Sequence, residues 1–321
     1  MREPGKTVLA NIPTPVQEVK FQSRKFLIKR DDLTGVELSG NKVRKLEYLL
    51  YQAGKERAEY IFTCGGDQSN HARATAIAAA GLGIKTRLFL WGKDKPNSDG
   101  NLFLDKLSGA EIFFMNKKNY GFVNEIMQEE SEILRSSGKK VYVIPEGGST
   151  TLGIWGYISF VEELSKQLDL KKLDGIVLAA GTGGTAAGIL TGLARKRVNT
   201  KIYAVNVLYE ENIIRKKILQ LAQGTVLDYK LLNEIDPGNL VILDGYSEEG
   251  YKNITGAKLE LINKFFKETG ILLDPAYTGK AFSGLYENFI QKNKKLNILF
   301  LHTGGLFGVF GRKKQYLTHN I

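Results

Sequence analysis

Short runs of β-branched and aromatic residues alternate with amphipathic stretches along most of the chain, and this alternation indicates the fold class. Period-two or continuous apolar runs predict strands at 25–29, 60–63, 86–91, 112–115, 141–144, 175–180, 202–207, 240–243 and 297–302. Helical spacing predicts helices at 70–80, 121–135, 152–167, 185–194, 256–268 and 279–290. Because strands that alternate with helices form parallel sheets with right-handed crossovers, we expect an α/β fold.

Two glycine clusters, near Gly40 and at Gly147 and Gly148, mark soft boundaries in this pattern. The segment between them holds enough strand–helix units for a small sheet of its own. We therefore predict two parallel-sheet α/β domains: a larger, discontinuous one over 1–40 and 149–321, and a smaller one over 41–148. Ligands usually bind in the cleft between two such sheets.

The composition is that of an ordinary globular protein of 321 residues, with 43% hydrophobic and 25% charged residues. The longest apolar run, at 76–84, contains glycines and is too short for a membrane span. The first residues have no signal-peptide core, and Cys64 is the only cysteine, so no disulfide forms within the chain. We expect a cytoplasmic enzyme with no membrane partner.

The formal charge of +11 raises the question of nucleic acid as a partner. The lysines, however, lie in scattered pairs and form no basic stripe interleaved with aromatic residues. We predict a solvated surface that steers an anionic substrate or cofactor, and no nucleic-acid partner.

Lys42 occupies a position where helical spacing calls for a hydrophobic residue, one turn before Leu46 on an inward stripe. Burial there favours the neutral amine, and a helix N-terminus capped by Asn41 lowers the pKa further. A neutral lysine amine is the group that forms a Schiff base with a carbonyl cofactor. The alternative is a lysine at the helix start that keeps its charged end in water.

A glycine-rich loop at 181–185 follows an apolar strand and opens a helix. Inward N–H groups and the helix N-terminus make such a loop an anion site, which favours a phosphate. The spacing also fits a dinucleotide-binding loop over 181–186, but the next predicted strand, 202–207, has Asn206 near its end, and no carboxylate that would hold a ribose comes before Glu210. A tight packing turn is a further alternative.

A second strand–helix junction contains Ser69 and Asn70, which are good helix caps and are equally able to hold a substrate carboxylate. Cys64 before it is more consistent with a small buried side chain than with a nucleophile. The histidines His71, His302 and His319 show no metal-ligand spacing, so no metal site is predicted.

Two further glycine-flanked segments contain Tyr277, which is suited to stack on an aromatic ring, and Thr303, which is suited to bond a ring nitrogen. Singly, each is typical of a turn. Together with Lys42 and the glycine loop they supply an amine, a phosphate site, a stacking ring and a ring-nitrogen partner. These are the contacts that pyridoxal 5'-phosphate needs.

The chain resembles the D-cysteine desulfhydrase and 1-aminocyclopropane-1-carboxylate deaminase family, which uses pyridoxal phosphate and has the tryptophan-synthase-β-like fold type II. The similarity runs from about residue 8 to 310 and is carried by the strings KRDDL (29–33), SGNKVRKLE (39–47), GGDQSNH (65–71), PEGGS (145–149) and LDPAYTGK (273–280). The resemblance implies a homodimer.

The resemblance also implies residue roles. Lys42, Ser69 and Tyr277 would be catalytic, with Ser69 on the substrate carboxylate and Tyr277 stacking on the cofactor and handling protons. The implied cofactor contacts are Lys42, Lys45, Asn70, Gly181, Thr182, Gly183, Gly184, Thr185, Tyr277 and Thr303. The implied substrate contacts are Ser69, Asn70, His71, Tyr251 and Thr278.

Two positions separate the activities in the resembled family. Ring-opening deaminases carry glutamate directly after the stacking tyrosine and leucine after the histidine of the last glycine motif, whereas this chain has Thr278 and Thr303. The resemblance therefore predicts β-elimination on a small amino acid, D-cysteine, giving pyruvate, ammonia and sulfide. The alternatives are ring-opening of 1-aminocyclopropane-1-carboxylate, a nicotinamide-dependent oxidoreductase using 181–186, and a non-catalytic binding protein.

Overall fold

A computed structural model describes residues 3–251 and 253–318. The strands are β1 (Val16–Phe21), β2 (Arg24–Arg30), β3 (Tyr60–Gly66), β4 (Lys85–Trp91), β5 (Glu111–Met115), β6 (Val141–Val143), β7 (Gly175–Ala180), β8 (Lys201–Asn206), β9 (Leu240–Leu243) and β10 (Ile298–His302). The helices are α1 (Lys42–Lys55), α2 (Asn70–Gly81), α3 (Gly100–Leu107), α4 (Lys117–Tyr120), α5 (Val123–Ser136), α6 (Trp155–Gln167), α7 (Gly184–Lys196), α8 (Glu211–Asp228), α9 (Gly256–Thr269), α10 (Thr278–Leu285), α11 (Leu306–Phe310) and α12 (Lys313–Thr318).

The strands form two sheets, and the predicted α/β fold is confirmed. The larger sheet has the order β1-β2-β10-β7-β8-β9, in which β1 and β2 are antiparallel and the other pairs are parallel. The smaller sheet has the order β5-β4-β3-β6 and is wholly parallel. The smaller sheet comes from the middle of the chain, as expected. The domain boundaries at 40/41 and 148/149 remain a prediction, and residues 1, 2, 252 and 319–321 of the predicted larger domain lie outside the described part.

Several elements differ from the sequence pattern. Strand β1 and helices α3, α4, α8, α11 and α12 were not among the predicted segments. The helix expected over 279–290 is α10 followed by a π-helix at Tyr286–Ile290. In the described part of the chain, no helix combines the length and the apolar character needed to cross a membrane.

The central strand β7 is buried along its whole length because helices cover both faces of its sheet. One face packs against α6 and α7, and the other packs against α9 and α10, where Phe265 and Phe282 lie 4.2 Å apart between ring centroids. Strands covered on both faces carry continuous apolar runs. This explains why the sequence predicted both ends of β7 correctly.

A buried ion network holds α1 against the larger sheet. Arg44 donates to Asp31 through Nε and one terminal nitrogen, each at 2.8 Å, and to Glu163 through the other at 2.8 Å. Tyr157 donates to the same Asp31 at 2.6 Å. Burial opposes ionisation of Asp31, but the charge and hydrogen bonds of Arg44 outweigh it and lower the pKa of this carboxyl. Asp31 follows β2 and Glu163 lies on α6, so the network joins three elements.

Replacement of Arg44 by Met should lower the free energy of unfolding by about 3–5 kcal/mol, because it leaves the buried Asp31 carboxylate without its cation. Urea unfolding at neutral pH measures this loss.

Because the pKa of Asp31 is lowered in the folded state, the stabilisation is present above the ordinary aspartate pKa and is lost as the pH falls through the lowered value.

The control is Lys25→Met, which breaks the exposed pair with Glu18 and should cost less than about 1 kcal/mol. Equal stability of Arg44→Met and the unmodified protein would contradict the importance of the network.

Candidate active site

A cavity of about 420 Å³ opens where the carboxyl ends of the strands of both sheets meet. Parallel α/β sheets bind ligands at this edge. The predicted site residues that the structure brings together in its lining are Lys42, Lys45, Ser69, Asn70, His71, Gly181, Thr182, Gly183, Gly184, Thr185, Tyr251, Tyr277 and Thr303.

Lys42 is the first residue of α1 and faces this cavity, with its side chain half-buried. Desolvation lowers its pKa to about 8, although the charges of Glu146 and Asp274 act in the opposite direction. The amine is therefore readily deprotonated near neutral pH, which a lysine that bonds a carbonyl group requires.

Asn41 precedes Lys42 but does not cap α1 as expected, since its backbone is already helical and its side chain makes no capping bond. Its Nδ2 instead donates to the hydroxyl of Thr185 at 3.0 Å, and its backbone N–H donates to the carbonyl of Thr303 at 3.0 Å. Asn41 thus joins the start of α1 to the glycine loop and to the end of β10.

The glycine loop connects β7 to α7. Gly183 has φ +86°, a conformation that favours glycine, and a Cβ on Gly184 would collide with Ser149 Oγ and Lys45 Nζ. The hydroxyls of Ser149 and Thr182 are 2.7 Å apart. Backbone N–H groups at the start of a helix, two hydroxyls and a nearby lysine form a donor set suited to phosphate.

Lys45 lies beside this loop and is almost wholly buried. It donates to the Gly147 carbonyl at 3.1 Å and to Ser149 Oγ at 3.2 Å. Burial, followed by the nearby charge of Lys42, holds the pKa of Lys45 well below its usual value. No carboxylate forms an ion pair with Lys45 among the described residues, so an anion in the loop would supply the opposite charge that favours the ammonium form.

Tyr277 and Tyr251 pack edge to face, with ring centroids 5.6 Å apart. A Cβ on Gly181 would lie 3.4 Å from Tyr277 Cε1, so the Tyr277 ring borders the glycine loop. Burial raises the pKa of Tyr251 to about 12 and that of Tyr277 well above the usual tyrosine value. Both phenols are therefore protonated at neutral pH and act as donors.

Ser69 and His71 flank Asn70 at the N-terminus of α2. Ser69 caps the helix as predicted, because its Oγ accepts from the Ala72 N–H at 3.1 Å, and this leaves its hydroxyl hydrogen available. The Thr63 hydroxyl donates to the Ile144 carbonyl at 2.7 Å and lies 2.9 Å from His71 Nε2, which must therefore carry the hydrogen. Burial keeps the pKa of His71 well below its usual value, so the ring is neutral.

Thr278 is the predicted site residue that the structure does not bring to the cavity wall. Its hydroxyl donates to Asp274 Oδ1 at 2.7 Å, and its backbone N–H donates to the same atom at 2.8 Å. Asp274 also accepts from the N–H groups of Ala276 and Tyr277, each at 3.0 Å. Thr278 thus belongs to the turn that places Tyr277.

Glu146 lines the cavity and was given no role from the sequence, although it lies in the string PEGGS. Tyr120 donates to its Oε1 at 2.9 Å. Burial raises the pKa of Glu146, against the effects of Tyr120 and Lys42. Trp91, Lys117, Leu208 and Tyr209 also line the cavity without having been predicted.

Cys64 is buried, and burial raises the pKa of its thiol to about 12, which suits a packed side chain. Among the described residues, no three His, Cys, Asp or Glu side chains are grouped so as to hold a metal ion. His319 lies outside the described part.

This geometry fits pyridoxal phosphate, with a readily deprotonated amine, a glycine loop suited to phosphate, a bordering tyrosine ring and Thr303 around one cavity. The model of a family described as pyridoxal-phosphate dependent enzymes matches residues 7–304, and the chain belongs to this family. Membership of this family identifies the cofactor as pyridoxal phosphate, in place of the nicotinamide dinucleotide that was the alternative ligand of the glycine loop.

Relatives narrow the class further. The chain is 42% identical over 308 residues to a Thermotoga maritima protein provisionally named 1-aminocyclopropane-1-carboxylate deaminase, covering 94% of this chain and 97% of the relative. It is 37% identical over 326 residues to the Arabidopsis thaliana mitochondrial bifunctional D-cysteine desulfhydrase/1-aminocyclopropane-1-carboxylate deaminase, covering 96% and 80%. A crystal structure of an ACC deaminase homologue superposes with a TM-score of 0.91 at 36% identity, covering 98% and 96%. The predicted family and enzyme class are confirmed.

Replacement of Glu146 by Gln should lower the pKa of Lys42 below about 8, because the Glu146 charge stabilises the ammonium form. The measurement is the pH dependence of the rate at which the cofactor-free protein binds pyridoxal phosphate, since only the neutral amine reacts. Glu111→Gln, on the surface, is the control and should leave the midpoint unchanged. A midpoint that moves to higher pH would contradict this electrostatic assignment.

Proposed function

We propose that the protein is a lyase that converts D-cysteine and water to pyruvate, ammonia and sulfide. The name of the bifunctional Arabidopsis relative supports this activity. The observation that carries the choice is the pair Thr278 and Thr303, which the resemblance links to desulfhydrases. Thr303, whose side chain is neutral, lines the cavity, and among the described lining residues Glu146 bears the only carboxylate.

In this proposal Lys42 would hold the cofactor through its neutral amine. When bound, pyridoxal phosphate supplies a conjugated ring that delocalises the electron pair left on Cα after its proton is removed. Lys42 suits proton transfer because a pKa of about 8 makes both of its forms accessible near neutral pH. Tyr277 and Ser69 are the alternative groups for the Cα proton, and Tyr277, protonated at neutral pH, suits donation to the leaving thiolate.

The substrate carboxylate is assigned to the N-terminus of α2. Ser69 keeps its hydroxyl hydrogen free, and a helix N-terminus favours a negative charge. Neutral His71 and the ring of Tyr251 complete this side of the cavity. Homodimeric assembly and a cytoplasmic location remain predictions.

Ring-opening of 1-aminocyclopropane-1-carboxylate is the second candidate, favoured by the provisional name of the Thermotoga relative. The resemblance links this activity to a glutamate directly after the stacking tyrosine, because a carboxylate that keeps the ring nitrogen protonated makes the ring a stronger electron sink. At that position this chain has Thr278, whose hydroxyl is bonded to Asp274 outside the cavity wall.

Replacement of Lys42 by Ala should abolish the near-ultraviolet to visible absorption band of lysine-bound cofactor and the release of pyruvate, because no other residue is assigned to bond the cofactor. Absorption spectroscopy and a coupled pyruvate assay measure the two effects. Lys117→Ala, also at the cavity, is the control and should keep the band. A Lys42→Ala protein with the band and full turnover would disprove the assignment.

The substrate assignment predicts faster sulfide release from D-cysteine than oxobutyrate release from 1-aminocyclopropane-1-carboxylate at equal concentrations. L-cysteine tests stereochemistry in the same assay. Oxobutyrate without sulfide would establish the second candidate in place of the first, and the absorption band without any turnover would indicate a binding protein.

A further inference from the structure

Behind the cavity wall, two buried polar side chains form a chain of hydrogen bonds that leads inward from Asn70. Arg73, one turn further along α2, donates through Nε to Asn101 Oδ1 at 3.1 Å. Asn101, near the start of α3, donates through Nδ2 to Asn70 Oδ1 at 3.1 Å and to the Gln68 carbonyl at 3.0 Å. Arg73 and Asn101 are both fully shielded from solvent.

The partners of Asn101 determine which way its amide points. An arginine side chain has only donors, so the atom of Asn101 that faces Arg73 must be the oxygen. A backbone carbonyl only accepts, so the atom that faces Gln68 must be the nitrogen. These two independent contacts fix the same orientation of Asn101.

The orientation of Asn101 then determines that of Asn70. Because Asn101 offers N–H to its neighbour, the atom of Asn70 that faces it must be the carbonyl oxygen. In the described part of the chain no protein group accepts a hydrogen bond from Asn70 Nδ2, and Asn70 lines the cavity. The free donor of Asn70 is thus left for a ligand.

We infer that Asn101, held by Arg73, is a positioning residue that makes Asn70 present an N–H donor, and not its carbonyl, to the ring hydroxyl of bound pyridoxal phosphate. This inference rests on the proposed function and on the contact of Asn70 with the cofactor that the resemblance implies. A donor at this place stabilises the deprotonated hydroxyl, whereas an acceptor would repel it.

Arg73 connects this chain of hydrogen bonds to the segment that leads to Lys42. Its terminal nitrogens donate to the carbonyls of Glu37 and, at 3.0 Å, Ser39. Its guanidinium lies 5.0 Å from the centroid of the Phe307 ring. One buried guanidinium therefore orients the donor Asn70 and also anchors the chain three residues before Lys42.

The test is Asn101→Asp, which keeps the size of the side chain and still accepts from Arg73, now with an opposite charge. Aspartate has no N–H for Asn70, so the Asn70 amide must turn and present its oxygen to the cofactor. We expect the apparent Kd of the cofactor-free protein for pyridoxal phosphate to rise about tenfold or more, with a shifted absorption maximum of the bound cofactor. Unchanged affinity and spectrum would overturn the inference.

The matched control is Asp105→Asn, the reverse exchange on the same helix. Asp105 is buried within electrostatic reach of Arg73 but makes no hydrogen bond to Asn70 or Asn101. The Asp105→Asn variant should leave the affinity for pyridoxal phosphate and the absorption spectrum of the bound cofactor unchanged, although the stability of the protein changes. An equal loss of affinity in both variants would show a general effect of packing and overturn the specific role of Asn101.

A double-mutant cycle with Asn70→Ala separates positioning from a structural role. If Asn101 acts through Asn70, Asn101→Asp has no further effect on affinity in the Asn70→Ala background; effects that multiply would overturn the inference. If Asn70→Ala alone leaves the affinity unchanged, the proposed Asn70 contact itself is wrong. Should Asn101→Asp not fold by circular dichroism, Asn101→Ala replaces it, and the same cycle applies.

Discussion

The ion pairs of Arg44 with Asp31 and Glu163 fix the helix on which the rest of the site depends. Lys42 and Lys45 project from the same two turns of α1, one into the cavity and the other towards the glycine loop. A buried charge pair of this kind adds little net stability, but its loss of one partner is costly. The network therefore holds α1 in one position against the larger sheet. This position of the helix determines where the side chains of the two lysines lie.

Burial favours the neutral forms of both acids and bases around the cavity. It lowers the pKa of Lys42, Lys45 and His71, and it raises the pKa of Glu146 and Tyr277. Each group is thereby shifted towards its neutral form, as expected where water is scarce. Such a cavity favours nucleophilic amines and phenolic donors, and a phosphate in the glycine loop would be the largest charge in it. These are favourable conditions for proton transfer at a substrate carbon.

The contacts between distant segments give the site its geometry. Asn41 joins α1 to Thr185 and Thr303, Asp274 gathers the N–H groups that hold Tyr277, and Asn101 joins α3 to Asn70. Each of these hydrogen bonds satisfies a buried polar group, of the side chain or of the backbone, that would otherwise be left without a partner. These hydrogen bonds therefore position Asn41, Tyr277 and Asn70 around the cavity.

The sequence by itself determined the α/β class, the separate middle sheet, both ends of the strands β7 and β9, and many of the residues that line the cavity. It did so because apolar periodicity and glycine loops are local properties. Only the tertiary structure decided that Asn41 bonds Thr185 and that Glu146 faces the cavity. These outcomes depend on which segments meet across two sheets, and local spacing carries no record of a partner that lies a hundred residues away.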